Sequence, residues 1–175
     1  MDVSICIHEP GEPVDAEGLG ALLHACVTAG ASVGFIAPFS PADAAAFWRE
    51  TVAPRVAGGA VTLFLALGAD GEVVGTAQLV TATPANQPHR ADVAKVLVHP
   101  DHRRRGIARN LMAALEAEAR LRQKSLLTLD TRTGDAAEPL YVSLGYTVVG
   151  TIPDYCLDVF TGALDATTVM YKRLV

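Results

Sequence analysis

The sequence predicts a mixed α/β domain in which helices flank a central β-sheet. Three observations support this fold class: segments with apolar residues at three- and four-residue steps, β-rich apolar runs between them, and a strand–helix–strand unit over residues 90–130. The chain has 175 residues, half of them hydrophobic, which is enough for one substantial core. We therefore expect a single domain over residues 1–175.

The N-terminal third is predicted to contain one strand and two helices. The alternation in DVSICIHEP indicates a short first strand that ends at Pro10. A helix follows over residues 13–30, because apolar residues recur at helical spacing and a glycine ends the pattern. A second helix is expected over residues 40–59 with Ser40 as its N-cap, and Pro54 should kink it or lie near its last turn.

From residue 60 onward the chain is predicted to be rich in strands. Two apolar runs within residues 60–83 flank Asp70-Gly71, which is a strong hairpin signal. The strands at 91–98 and 125–130 should run parallel, because a helix crosses over between them. The first of these strands lies within RADVAKVLVHP (90–100), and the crossover helix is expected over 104–123. A short helix over 135–144 and closing strands over 146–152 and 167–175 complete the chain.

Composition limits the classes of function. The formal net charge is -5 and the pI about 5.4, which argues against a dedicated nucleic-acid binder or a polybasic membrane protein. No apolar run reaches the ~18 residues of a membrane span. The three cysteines Cys6, Cys26 and Cys156 form no C-x-x-C pair and fit no zinc spacing. We expect a cytoplasmic protein with neither a nucleic-acid nor a membrane partner.

A cluster of arginines opens the predicted helix after residue 100. In HPDHRRRGIARNLM, residues 99–109 carry four arginines against one aspartate, a local net charge of +3. Cations are unfavourable at a helix N-terminus, whereas an anion there is stabilised by free N–H groups. Gly106 and Ala108 are small enough for a tight turn that leaves such groups exposed. The cluster therefore indicates a phosphate site, although a solvated charge run or a nucleic-acid recognition helix would also place arginines here.

Two motifs in this sequence resemble those of a known enzyme superfamily. A strand followed by R-x-x-G-x-A (103–108) and a helix is similar to motif A of the GNAT acetyltransferases, whose loop holds the pyrophosphate of acetyl-CoA. The segment GDAAEPLYVSLGY resembles the second motif, with Tyr141 four residues before the Gly145-Tyr146 pair. Gly134 stands where many members have an asparagine that contacts the pantetheine arm. The resemblance implies a mixed sheet whose two central parallel strands splay apart.

A narrower resemblance covers roughly residues 30–175. GASVGF, RADVAKVLVHP, LLTLDTRTG and GTIPDYC are similar to segments of tabtoxin-resistance acetyltransferases. Those proteins acetylate an amino group of a small, amino-acid-like β-lactam toxin. The resemblance implies acetyl-CoA as cosubstrate, no metal, and a small-molecule amine as acceptor.

The family resemblance also implies roles for individual residues. Tyr141 would be the acid that protonates the departing thiolate, and Asp92 or Asp130 would be the base or would orient the substrate. A strand N–H would bind the carbonyl oxygen, and the same strand edge would pair with the pantetheine amides. These backbone and loop positions are Val96, Leu97 and Val98 for the oxyanion and pantetheine, and Arg103, Arg104, Arg105, Gly106, Ile107 and Ala108 for the pyrophosphate.

Each catalytic assignment has a structural alternative. Asp92 begins one parallel strand and Asp130 ends the other, so the two need not be adjacent, and either could instead cap a turn or pair with Arg90 or Arg132. Tyr141 could be a packed helix tyrosine.

Two other patterns suggest different chemistry. Residues 30–34 match the G-x-S-x-G elbow of serine hydrolases, but a helix rather than a strand precedes them. We therefore expect Ser32 and Phe35 to contact substrate instead. His99 and His102 have metal-ligand spacing without a third ligand.

The sequence thus predicts direct acetyl transfer from acetyl-CoA to a small, amino-acid-like amine, with a toxin or antibiotic as the first candidate. A GNAT enzyme acting on a protein or peptide amine and a non-catalytic acyl-CoA sensor are the alternatives. The protein is expected to be a monomer or a homodimer.

Overall fold

The computed structural model describes residues 3–8 and 11–174. The order of strands and helices that the sequence predicts is confirmed, while the expected strand end at Pro10 and the chain end at Val175 lie outside the described residues. The elements are β1 (Ser4–Ile7), α1 (Ala16–Thr28), α2 (Pro41–Ala46), a π-helical turn (Phe47–Val52), α3 (Ala53–Ala57), β2 (Val61–Leu67), β3 (Val73–Val80), β4 (Arg90–Val98), a 3-10 turn (Pro100–His102), α4 (Ile107–Leu121), β5 (Leu126–Arg132), α5 (Ala137–Ser143), β6 (Thr147–Leu157) and β7 (Leu164–Arg173).

The strands form one seven-stranded sheet in the order β1-β2-β3-β4-β5-β7-β6. Neighbouring strands are antiparallel except β4 and β5, which run parallel on either side of the α4 crossover. Helix α4 packs on one face of the sheet, where Leu111 and Leu115 are fully buried, and α1 and α2 cover the other face, where Leu23 and Trp48 are fully buried. The predicted fold class, a mixed sheet flanked by helices, is confirmed.

The two central parallel strands separate soon after they meet. β4 and β5 pair over only three positions, from Arg90 opposite Leu126 to Asp92 opposite Thr128. Beyond Asp92, β4 carries an extra residue relative to β3, and Lys95 in this bulge has φ 49°. A bulge bends its strand and increases the local twist. The result is a V-shaped gap between β4 and β5 that opens towards their carboxyl ends.

Most elements differ from their predicted bounds by a few residues, and three of the differences have a clear physical cause. Helix α4 begins at Ile107 rather than at residue 104, because Arg104 and Gly106 both have left-handed backbone angles. The second predicted helix contains the π-helical turn immediately before Pro54, which cannot donate the N–H that a regular helix needs there. β6 continues past Ile152 to Leu157, since an edge strand tolerates Pro153.

Candidate active site

The loop between β4 and α4 presents a row of free backbone donors. Arg104 (φ 65°) and Gly106 (φ 79°) are left-handed, and Gly106 is the N-cap of α4. The N–H groups of residues 104–109 meet no acceptor among the described residues. Successive N–H groups in such a conformation form an anion-binding concavity, which the positive end of the helix dipole reinforces. The loop therefore suits a pyrophosphate.

The arginine side chains around this loop are exposed but differ in their partners. Arg103 donates to the carbonyl of Val98 (3.3 Å), and Arg105 donates to that of Asp101 (3.0 Å). Arg109 reaches the hydroxyl of Ser143 on α5 (2.7 Å). The side chain of Ile107 is buried in the core below α4, so this residue offers only its backbone to a ligand. The anion-binding surface is thus mainly backbone, rimmed by guanidinium groups.

The strand edge of β4 that faces the gap is available for hydrogen bonding. His99 donates its N–H to the carbonyl of Val74 on β3 (2.9 Å). In an antiparallel pair, residues whose N–H and carbonyl bond to the partner strand alternate with residues whose N–H and carbonyl point away from it. The backbone of Leu97 consequently faces Thr76 on β3, while the N–H and carbonyl of Val98 face away from β3. Of the three predicted oxyanion positions, Val98 and Val96 beside the bulge are therefore better placed than Leu97.

Tyr141 lies on α5 with its side chain 6% exposed. Its ring packs edge-on against that of Tyr146, with the ring centres 5.7 Å apart. Burial, together with the charges of Asp130 and Asp135, raises the pKa of Tyr141 to about 12. The hydroxyl therefore stays protonated at neutral pH and remains a hydrogen-bond donor.

The two candidate carboxylates lie on one face of the sheet in different surroundings. Asp92 accepts hydrogen bonds from Arg90 and Thr128 at the closed end of the gap, as in the structural alternative that the sequence left open. Asp130 lies on β5, two residues beyond Thr128. It is exposed and accepts a hydrogen bond from the hydroxyl of Thr167 (3.0 Å). Of these two carboxylates, Asp130 raises the pKa of Tyr141 and Asp92 does not, which makes Asp130 the better candidate to act together with that tyrosine.

The segment 30–39, hereafter the acceptor loop, closes the α1 side of the gap. Ala37 donates to the carbonyl of Val159 (2.8 Å), and Ser32 contacts the thiol of Cys156 (3.6 Å). Helix α1 ends just before this loop and α2 begins only at Pro41, so the strand–turn–helix setting of a hydrolase elbow is not present at Ser32.

Lys95 is a residue of the site that the sequence interpretation missed. It donates to the carbonyl of Val33 in the acceptor loop (2.8 Å) and lies 5.6 Å from the ring centres of both Phe35 and Phe47. Burial lowers the pKa of Lys95, and the negative charge of Asp130 partly opposes that shift. The signal in the sequence is a single cation inside the apolar run VAKVLV.

Arg132, considered in the sequence only as a partner for a carboxylate, anchors the acceptor loop. Its guanidinium donates to the carbonyl of Gly30 (3.2 Å) and lies within 3.3–3.6 Å of carboxylate oxygens of Asp135, Asp158 and Asp165. It therefore joins β5, the acceptor loop and the β6–β7 connection.

Gly134, in place of the family asparagine, is left-handed (φ 78°) and donates its N–H to Glu138 (2.9 Å). A surface depression of about 530 Å³ begins there and runs along α5 to Ser143, the partner of Arg109. The depression therefore begins just after β5 and ends at the residue to which Arg109 of α4 donates.

The described residues contain neither a membrane-spanning helix nor a cluster of metal-ligating side chains. Within the described ranges, no helix is long and apolar enough to cross a membrane. The same residues contain no group of three or more His, Cys, Asp or Glu side chains that could hold a metal ion. The rings of His99 and His102 lie edge-on, with centres 5.8 Å apart.

A parallel strand pair that opens beside an anion-binding helix start is the architecture of the acyltransferases that take their acyl group from coenzyme A. The model of the acetyltransferase (GNAT) family matches residues 31–146 of this chain. The chain therefore belongs to the GNAT family, and its enzyme class is that of the acetyltransferases.

One curated protein and two solved structures illustrate what this chain is similar to in sequence and in fold. The chain is 33% identical over 117 residues to an uncharacterized N-acetyltransferase in the hisH-hisA intergenic region of Azospirillum brasilense, in a match that covers 65% of this chain and 66% of that protein. An N-acetyltransferase structure from Staphylococcus aureus has a TM-score of 0.80 at 15% identity, with 100% of both chains covered. A phosphinothricin acetyltransferase from Sinorhizobium meliloti, solved with acetyl-CoA, has a TM-score of 0.79 at 16% identity over 99% of this chain and 89% of that one.

Proposed function

We propose that this protein transfers the acetyl group of acetyl-CoA directly to the amino group of a small, amino-acid-like acceptor. The observation that carries the proposal is the row of free N–H groups at residues 104–109, at the open end of the gap between β4 and β5. The relative solved with acetyl-CoA supports the cosubstrate. A toxin or antibiotic is the first candidate acceptor, in keeping with the resemblance to the tabtoxin-resistance type.

The proposed chemistry assigns one task to each group. Acetyl-CoA supplies the acetyl group as a thioester. Asp130 accepts one proton from the acceptor ammonium, directly or through a water, so that the neutral nitrogen can form the new C–N bond. The N–H of Val98 or Val96 donates to the carbonyl oxygen as it gains charge. Tyr141 donates its proton to the sulfur as the C–S bond breaks, and it regains a proton from the acceptor nitrogen, directly or through a water.

The proposed role of Asp92 is secondary. Its carboxylate is held by Arg90 and Thr128 at the closed end of the gap, so it is less free to move a proton than Asp130. Asp92 acting through a water is the alternative base.

The cosubstrate-binding residues follow from the backbone. We propose that Arg103, Arg104 and Arg105 surround the pyrophosphate while Gly106, Ile107 and Ala108 bind it through their N–H groups, and that the depression along α5 carries the rest of the cofactor. We further propose one domain over residues 1–175, a cytoplasmic location, and a monomer or a homodimer.

Two measurements test this function. Acetyl-CoA at millimolar concentration should raise the melting temperature, because a ligand that binds only the folded state stabilises it. CoA release with a panel of small amines should then be lowered about 10²-fold by Tyr141→Phe. The absence of any stabilisation would refute the cosubstrate. Binding without turnover of any amine would favour the acyl-CoA sensor, and turnover of peptide amines alone would favour the protein-acetylating alternative.

A further inference from the structure

Unlike the other basic residues on the two splayed strands, Lys95 has no carboxylate partner among the described residues. β4 and β5 contain three basic residues: Arg90 pairs with Asp92, and Arg132 lies against three carboxylates. Lys95 donates one N–H to the carbonyl of Val33 (2.8 Å), and within residues 3–8 and 11–174 its ammonium has no further acceptor and no ion-pair partner. Two of its three N–H bonds are therefore open to a ligand.

The surroundings of Lys95 make an uncompensated charge costly. The ammonium lies 5.6 Å from the ring centres of Phe35 and Phe47, and the side chain is half-buried. The faces of aromatic rings attract a cation but satisfy none of its hydrogen bonds. Burial lowers the pKa of this lysine, because water is partly removed from the charged form. A bound anion would supply both the missing charge and the missing acceptors.

The position of Lys95 relative to Asp130 defines the ligand. Lys95 lies on β4 three residues beyond Asp92, and Asp130 lies on β5 two residues beyond Thr128, the partner of Asp92, so both line the start of the gap. The charge of Asp130 raises the pKa of Lys95, yet the two side chains do not form an ion pair. Opposite charges held apart in this way are complementary to a zwitterion, whose ammonium and acidic group lie a few bonds apart. The acceptor loop is held to β4 by the bond from Lys95 to Val33 and to β5 by the bond from Arg132 to Gly30.

We infer that Lys95 binds the acidic group, a carboxylate or its equivalent, of a zwitterionic acceptor whose ammonium faces Asp130. This inference rests on the proposed function, and it adds that the amino-acid-like acceptor must carry a free acidic group and that Lys95 is the residue that recognises it. Lys95 is thereby a specificity-determining residue, since an amine without an acidic group leaves its charge unpaired.

A purely structural role for Lys95 predicts a different result. If the lysine only anchors the acceptor loop through Val33, its loss should slow the acetylation of every amine to a similar degree. If it binds an acidic group, its loss should remove the preference for acids over their amides. The ratio of kcat/KM for an amino acid to that for its carboxamide therefore separates the two roles.

The experiment measures CoA release with the common α-amino acids and with their carboxamides, each at saturating acetyl-CoA. In the wild-type protein the best amino acid should exceed its own amide about 10- to 100-fold in kcat/KM, mainly through a lower KM. In Lys95→Met the two should lie within about threefold of each other, while Lys95→Arg should keep part of the preference. Lys124→Met is a matched control, because Lys124 also donates to a backbone carbonyl, that of Pro88 (2.6 Å), but at the exposed surface.

The outcomes distinguish this inference from the proposed function. Equal turnover of acid and amide by the wild type, or a preference that survives in Lys95→Met, would overturn the role of Lys95 and leave the acetyltransferase activity standing. Failure to acetylate any amine would instead refute the proposed function and this inference together. Melting curves and acetyl-CoA affinity of Lys95→Met show whether the variant is folded.

Discussion

Replacing Gly106 by valine should weaken acetyl-CoA binding far more than replacing Arg104 by alanine. Gly106 has φ 79°, and a Cβ added there would meet no heavy atom within 4 Å, so the cost is conformational and not a clash. A left-handed L-residue costs about 1–2 kcal/mol, and more when it is β-branched. If the loop relaxes to avoid that strain, the loss of two charge-assisted hydrogen bonds costs about 3–6 kcal/mol, or roughly 10²- to 10⁴-fold in affinity.

The exposed side chain of Arg104 has no partner among the described residues, so its removal should cost about 0.5–1 kcal/mol, a two- to fivefold loss. Isothermal titration of acetyl-CoA into each variant gives the dissociation constants. Gly59→Val is the matched control, because Gly59 has φ 72° and equally open space but lies at the end of α3. The Gly59→Val protein should lose about as much folding stability as Gly106→Val but should bind acetyl-CoA as tightly as the wild type. A Gly106→Val protein that binds within about threefold of wild type, or a greater loss in Arg104→Ala, would refute the role of the backbone.

Three further predictions concern side chains. Asp130→Asn should lower kcat about 10²- to 10⁴-fold and Asp92→Asn less; the opposite order in CoA-release assays would assign the base to Asp92. The pKa of Tyr141 is about 12, above the ordinary 10.0, so the hydroxyl stays neutral across the pH range of the assay. The contribution of this pKa shift to folding stability is complete below pH 10 and is lost as the pH rises towards 12. Measured against pH, kcat should therefore not fall around pH 10.0, the ordinary pKa of a tyrosine. A fall around that pH that disappears in Tyr141→Phe would contradict the buried environment of this side chain. Lys172→Met should lower the free energy of unfolding by about 1–3 kcal/mol in urea titrations, because the buried carboxylate of Glu116 loses its hydrogen-bonded partner 2.6 Å away and keeps only Arg120 at 3.9 Å. A loss below about 0.5 kcal/mol would show that the pair is not buried in solution.

Local sequence signals predicted the elements but not their irregularities. The hairpin at Asp70-Gly71 and the stripe on α4 depend on residues close together in the chain, and both are present. The bulge at Lys95 depends on how β4 pairs with β3, which no short pattern records. The splay that follows from it came from the family resemblance alone.

The site was predictable to the extent that it follows a motif. Spacing predicts the loop at residues 103–108 and the helix of Tyr141, and in the structure the loop follows β4 and the helix follows β5. Arg132 and Lys95 were not found as site residues, because their partners come from elements up to 102 residues away in the chain. Such contacts between distant segments are set by tertiary packing and leave only a weak trace in the sequence.

The most direct test of the central claim is mass spectrometry of a reaction containing the protein, acetyl-CoA and the panel of amino acids. We predict that at least one amino acid gains a single acetyl group on nitrogen, in step with the free CoA that is released, and that Tyr141→Phe slows both equally. Acetyl-CoA that stays intact with every amine, although it binds the protein, would contradict the claim that this chain is an N-acetyltransferase.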